Sequence, residues 1–176
     1  QTEAQTLIDN IEASTAAMEL LFNALLDISR LDAGTIEARR VHFPLQKLLD
    51  DLDNQFSALA AEKHLRLHFR PSNVTLYSDP LLLERILGNL VQNALKYTEQ
   101  GGVVVVARST TTHLNIEVWD TGLGIAASDL QRIFEEFYQV GRSERARAQG
   151  LGMGLAIAQS IARLAPSSRA SRCVPL

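Results

Sequence analysis

The chain has 176 residues, 46% of them hydrophobic and 21% charged, with 17 Lys+Arg against 20 Asp+Glu and a formal charge of -3. These values describe one compact domain plus an appendage, and they supply no bulk attraction to nucleic acid or anionic lipid. The single cysteine, Cys173, cannot close an intramolecular disulfide and has no zinc-ligand spacing around it, which predicts a reducing, cytoplasmic setting. The longest apolar runs, such as 103–107, fall far short of the roughly 18 residues that span a bilayer, and the amino terminus lacks a basic and then apolar signal region.

At the amino end Leu7, Ile11, Met18, Leu21, Leu25 and Ile28 recur in steps of three and four, interrupted by Ser14. This is a heptad seam, and it predicts a helix that packs in a bundle or dimer. Gly34, just past Ala33, marks its stop, so residues 1–34 are read as an appended helix. A short extended piece at 41–43 precedes a second helical pattern through Leu45, Leu48, Leu49, Leu52, Phe56 and Leu59. Strand alternation follows at Leu65, Leu67, Phe69 and again at Val74, Leu76, broken by Pro71.

Ser78 and Asp79 are capping residues and Pro80 suits a first helical position. The apolar face from Leu82 to Leu95 then predicts the clearest helix in the chain. Gly101-Gly102 turns into the β-branched run 103–106, which pairs antiparallel with a strand through Leu114, Ile116 and Val118. Leu130, Ile133, Phe134 and Phe137 suggest a short helix, 141–149 is polar and basic, and a glycine-rich piece from Gly150 to Gly154 opens a last helix ending at Leu164. Segregated helices with an antiparallel-biased sheet predict an α+β, two-layer α/β sandwich over residues 35–165. Residues 166–176 read as an atypical tail.

Three places can carry chemistry. Asn89, Asn93 and Lys96 share one side of their helix, where two amide oxygens and an ammonium suit a metal-phosphate group. The plain alternative is a solvated polar face. Asp120-Thr121-Gly122-Leu123-Gly124 follows a strand directly: its glycines let backbone approach a flat ligand, and its carboxylate can accept from an exocyclic amine, preferring adenine to guanine. An Asp-capped turn explains the same residues. Gly150, Gly152 and Gly154 open a helix, where free amides and the helix dipole face an anion, with Arg142, Arg145 and Arg147 nearby. The spacing is neither the dinucleotide fingerprint nor a Walker loop, and a flexible turn is the ordinary reading.

In this order the segments resemble the catalytic, ATP-binding domain of sensor histidine kinases, a Bergerat-type fold shared with gyrase-class ATPases. Asn89-Leu90-Val91-Gln92-Asn93-Ala94-Leu95-Lys96-Tyr97-Thr98 resembles the N box and Asp120-Thr121-Gly122-Leu123-Gly124-Ile125 the G1 box. Ile133-Phe134-Glu135-Glu136-Phe137 resembles the F box, and the stretch from Gly150 to Leu155 the G2 box. Upstream, Leu25-Leu26-Asp27-Ile28-Ser29-Arg30-Leu31-Asp32-Ala33-Gly34 is similar to the end of the second helix of the dimerisation and phosphotransfer hairpin.

The resemblance implies ATP and Mg²⁺ as cofactors. Asn93 would ligate Mg²⁺ with Asn89 beside it, Lys96 would meet phosphate, and Tyr97 the ribose or base. Asp120 would read the adenine amine while Gly122 and Gly124 make room for the ring. Phe134 and Phe137 would anchor a lid over about 126–149, and Gly150, Gly152 and Gly154 would close on the phosphates. Related ATPases of the fold carry a water-activating Glu at the position of Asn89, so an amide there implies transfer to an acceptor rather than hydrolysis. The implied partners are a second copy, through the amino-terminal helix, and a response-regulator receiver domain. Any membrane attachment would lie outside this chain.

Two features depart from the family. The phosphoacceptor motif H-[ED]-x-[RK]-x-P is absent; His42, His64, His68 and His113 all lie within the ATP-domain region, and His64, His68 and His113 are expected to be structural or solvated. The expectation is a fragment that begins after the acceptor helix. The terminal strands of the family are also missing from 165–176, where Pro166 and Pro175 suit central strands poorly. Two other functions fit the same boxes: a serine protein kinase of this fold, or a nucleotide-sensing dimerisation module without phosphotransfer.

Overall fold

The structure, a computed structural model, describes residues 38–109, 114–140 and 152–164, together with Gln5, Leu7, Ile8, Ile11, Ser14, Thr15, Met18 and Phe22. The amino-terminal positions are helical, and Leu7, Ile11, Met18 and Phe22 are exposed. The expected continuation of that helix through Leu21, Leu25 and Ile28 to its stop at Gly34 lies outside the described residues, as do His113, Gly150, the basic run 141–149 and the tail.

The elements are β1 (Val41–Pro44), α1 (Leu45–Glu62), β2 (Arg66–Phe69), β3 (Thr75–Ser78), α2 (Pro80–Tyr97), β4 (Gly102–Ser109), β5 (Leu114–Asp120) and α3 (Gly154–Leu164). β1 pairs antiparallel with β3. A separate three-stranded sheet has the order β2-β4-β5, parallel between β2 and β4 and antiparallel between β4 and β5. The expected hairpin of β4 with β5 is therefore present, whereas β2 enters in parallel after a crossover through β3 and α2.

Leu45, Leu48, Leu49, Leu52 and Phe56 of α1 and Leu83, Leu87, Val91 and Leu95 of α2 form one core with Val103, Val105 and Ile116 of the sheet. Leu59 is 37% exposed, while Ala60 beside it is buried and carries the core into the last turn of α1. In the register Val103 faces Asp120, Val105 faces Val118 and Ala107 faces Ile116. Directly opposed residues share a face, so strand alternation carries Asp120 onto the helix side of the sheet. His68, Val104 and Trp119 line up across the other face.

One expected element differs. Residues 127–137 form consecutive turns rather than a helix. Asp129, Arg132 and Glu135 amides donate three residues back, to Ala126, Asp129 and Arg132 carbonyls. A helix there would need a surface on which to bury its apolar stripe, but Leu130, Phe134 and Phe137 remain 42%, 39% and 54% exposed, and Phe137 has φ +60°.

Candidate functional site

Helix α2 is the spine of the site, and its start is specified locally. Asp79 caps it, with Oδ1 accepting the Leu81 and Leu82 amides at 3.0 and 3.1 Å, and Pro80 fills the first position, where no amide is needed. The other carboxylate oxygen accepts the Arg39 amide at 2.7 Å, tying the segment ahead of β1 to the helix start.

Asn89 and Asn93, one turn apart on α2, both face the first residue of α3. A β-carbon at Gly154 would lie 3.2 Å from Asn89 Oδ1 and 3.4 Å from Asn93 Nδ2. Asn89 Nδ2 donates to the Arg85 carbonyl at 2.9 Å, which orients its oxygen toward Gly154. Two amides thus converge on a helix amino terminus whose own backbone N–H groups point outward. Only a residue without a side chain leaves that space open.

At the other end of α2, the loop after β5 is fastened to the helix. Asp120 Oδ1 accepts the Gly122 amide at 2.8 Å, and the Leu123 amide donates to the Tyr97 carbonyl at 3.3 Å. A β-carbon on Gly122 would stand 2.5 Å from that carbonyl oxygen, so the turn requires glycine. Gly124 has φ +67° and open space around it. Thr121 anchors the same turn to the sheet: its hydroxyl accepts the Gly102 amide at 3.0 Å and donates to the Gln100 carbonyl at 2.8 Å. The Lys96 ammonium rests 4.7 Å from the Tyr97 ring centre. An open cavity of about 380 Å³ beside these groups is lined by Lys63, Lys96, Tyr97, Thr98, Glu99 and Leu123.

Gly152 meets the segment 137–139. It has φ +69°, and a β-carbon there would lie 2.5 Å from the Tyr138 carbonyl oxygen and 3.0 Å from the Phe137 carbonyl carbon. Phe137 and Gly152 are therefore neighbours, whereas Gly124 and the exposed Phe137 ring are not packed into the site. Between this segment and the turns that precede it, the Tyr138 hydroxyl donates to Asp129 Oδ1 at 2.5 Å, and the Arg132 guanidinium lies 4.2 Å from the Tyr138 ring centre. The Asp129 carboxylate beside it raises the Tyr138 phenol above its ordinary value, because ionisation would lose the bond and oppose two negative charges.

The described histidines have other places. His42 stacks on Tyr77 with ring centres 4.7 Å apart, His64 terminates α1 at φ +55°, and His68 is on the outer sheet face. Sequence reasoning passed over Lys63, whose ammonium donates to the Leu95 and Lys96 carbonyls at 2.6 and 3.2 Å. No local pattern announces a bond between residues more than thirty positions apart.

Residues 78–171 match the family model described as histidine kinase-, DNA gyrase B- and HSP90-like ATPase. The signal transduction histidine-protein kinase BarA of Escherichia coli K12 is 33% identical over 164 residues, covering 88% of this chain and 18% of that protein. The aerobic respiration control sensor protein ArcB homologue of Haemophilus influenzae is 35% identical over 160 residues, covering 89% of this chain and 49% of its own length. The chain thus spans less than half of either relative.

Among solved structures, full-length ShkA in complex with AMPPNP superposes with a TM-score of 0.77 at 28% identity, over 93% of this chain and 34% of that one. The catalytic domain of the histidine kinase ThkA gives 0.61 at 25% identity, over 70% and 79% respectively. With the order of its boxes, the α/β layering and these matches in agreement, the chain belongs to the family of histidine kinase-, DNA gyrase B- and HSP90-like ATPases.

Proposed function

We propose that this chain is the ATP-binding catalytic part of a sensor histidine kinase, with residues 35–165 as the catalytic domain and 1–34 as part of the dimerisation and phosphotransfer hairpin. The observation that carries the reading is the convergence of Asn89 and Asn93 on Gly154 while the Asp120–Gly122 turn is fastened at the other end of the same helix. One end suits a charged phosphate and the other a flat base. Asp120 holds its own turn with one oxygen, leaving the second to accept from the adenine amine. Gly122 and Gly124 give the ring room, Tyr97 and Lys96 flank it toward the ribose and phosphates, and Gly150, Gly152 and Gly154 close over the phosphates with Phe137 at the lid.

The donor set fits Mg²⁺ carried in by nucleotide. Among the described residues no three His, Cys, Asp or Glu side chains converge, so the protein offers neutral amide oxygens and the nucleotide supplies the negative charge. Asn93 would hold the ion with Asn89 beside it, and the ion would neutralise the phosphate oxygens. Asn89 also bears on the reaction, since an amide cannot take a proton from water. The γ-phosphoryl group would then pass in line to an imidazole nitrogen of an acceptor helix, with ADP leaving, by positioning and charge neutralisation. From there it passes to an aspartate of a response-regulator receiver domain. The homodimer would form through the amino-terminal helix, and the setting is cytoplasmic. Among the described residues no helix is long and apolar enough to cross a membrane.

The test is transfer of labelled phosphate from ATP to a supplied acceptor hairpin. Acid-labile, base-stable label is expected on histidine; acid-stable label would indicate serine, and no label with intact ATP binding would indicate a sensing module. Asn93→Ala is expected to abolish transfer and Mg²⁺-dependent binding without unfolding the domain.

A further inference from the structure

We infer that Lys63, which lies outside all four boxes, is a positioning residue for the base end of the nucleotide site; the inference rests on the ATP-binding reading above. A helix leaves its last four carbonyls without partners of its own. At the end of α2 all four are met from beyond the helix body. The Thr98 hydroxyl donates to Ala94 O at 2.7 Å, Lys63 Nζ to Leu95 O and Lys96 O, and the Leu123 amide to Tyr97 O. Lys63 therefore holds two of the four carbonyls, and the turn that carries Asp120 and Gly122 hangs from the adjacent one.

The reach of Lys63 is built into the end of α1. The Leu65 amide returns to Ala60 O at 2.9 Å and the His64 amide to Ala61 O at 3.0 Å, with His64 in the left-handed region at φ +55°. This paired closure reverses the chain immediately after Lys63. An ammonium at a helix carboxyl end is favoured by the dipole, and its bonds to carbonyls are charge-assisted. The residue is exposed, so solvent moderates the gain.

Loss of the ammonium frees the Leu95 and Lys96 carbonyls and loosens the turn that presents Lys96 and Tyr97. The Tyr97 carbonyl is the attachment point of Leu123, so the base-reading loop loosens with it. Asn89, two turns further up α2, and Gly154, at the start of α3, are untouched. The consequence is a defect in base recognition and nucleotide affinity, with chemistry at the phosphate end retained.

In the full chain, Lys63→Met is expected to weaken binding of a non-hydrolysable ATP analogue roughly three- to tenfold, the scale of a helix-end charge interaction. The preference for adenine over guanine narrows. With an acceptor hairpin supplied, KM for ATP rises while kcat is retained, and Lys63→Arg restores KM. In nucleotide-free protein the Leu123 amide exchanges with solvent faster, while the Leu81 and Leu82 amides at the far end of α2 are unchanged. If Lys63→Met does not fold, Lys63→Gln, which keeps one donor, carries the same comparison with a smaller shift. A lowered melting temperature with unaltered KM, base preference and Leu123 exchange would reduce Lys63 to a stabilising cap and overturn the inference. A parent chain that binds no adenine nucleotide overturns the ATP reading itself, whereas a binding parent with an unaltered variant overturns the role of Lys63 alone.

Discussion

Gly122 lies against the end of α2 so closely that a β-carbon would stand 2.5 Å from the Tyr97 carbonyl oxygen and 2.8 Å from Asp120 Oδ1. The carbonyl is main chain and already holds the Leu123 amide, so it cannot turn aside. Gly122→Ala is expected to push the loop off the helix and weaken adenine-nucleotide binding by about tenfold or more, as overpacking of about 1–3 kcal/mol implies. In the nucleotide-free protein Gly124→Ala meets nothing within 4 Å and bears the strain of φ +67°, about 1 kcal/mol, so any loss of affinity beyond that reports contact with the bound ring. Calorimetric affinities and melting temperatures measured together should show a large binding loss for the first, and for the second a small stability loss with a binding loss smaller than that of Gly122→Ala.

Gly154 presents a softer constraint, because its neighbours at 3.2 and 3.4 Å are side-chain amides that can rotate. Alanine is also the better helix former. Gly154→Ala should therefore leave the melting temperature unchanged or raised while displacing Asn89 and Asn93. Titration with and without Mg²⁺ is expected to show that the metal-dependent part of nucleotide affinity is what falls.

Asp79 is buried and accepts three backbone amides, from Arg39, Leu81 and Leu82. Asp79→Ala removes the helix cap, worth about 1 kcal/mol, and the charge-assisted hydrogen bond from the Arg39 amide, worth about another 1–2 kcal/mol. Urea unfolding should give a destabilisation of about 2–3 kcal/mol at unchanged m, and Asp79→Asn a smaller one, because its oxygen keeps the cap while its NH2 cannot accept the Arg39 amide.

The hydrogen-bonded pair of Tyr138 and Asp129 has a pH signature. The folded-state value of Tyr138 is raised above 10.0, by the hydrogen bond to Asp129 first and by loss of hydration second. A raised value means that the bond's contribution is present below the unfolded value and is lost as pH rises through the folded one. Absorbance titration, with Tyr138→Phe as the reference, should show this phenol ionising after an ordinary tyrosine, and Asp129→Asn should return it toward 10.0.

The parts legible in the sequence are those written in local spacing. Asp79-Pro80 announced the start of α2, an interval of four placed Asn89 and Asn93 on one side, and strand alternation set β4 against β5. The short helix expected through Leu130 and Phe137 does not form: apolar spacing alone cannot supply the surface that such a helix must cover. Lys63 and Thr121 were not legible as anchors, because their partners, Leu95 and Lys96 for one and Gln100 and Gly102 for the other, become neighbours only when the helices and sheet have packed.

The most direct test is calorimetric titration of this 176-residue chain and its Asn93→Ala variant with a non-hydrolysable ATP analogue, with and without Mg²⁺, beside the guanine counterpart. The account predicts adenine-selective binding that depends on both the metal and Asn93. A folded chain that binds neither nucleotide, or binds the two alike without regard to Mg²⁺ or Asn93, would contradict it.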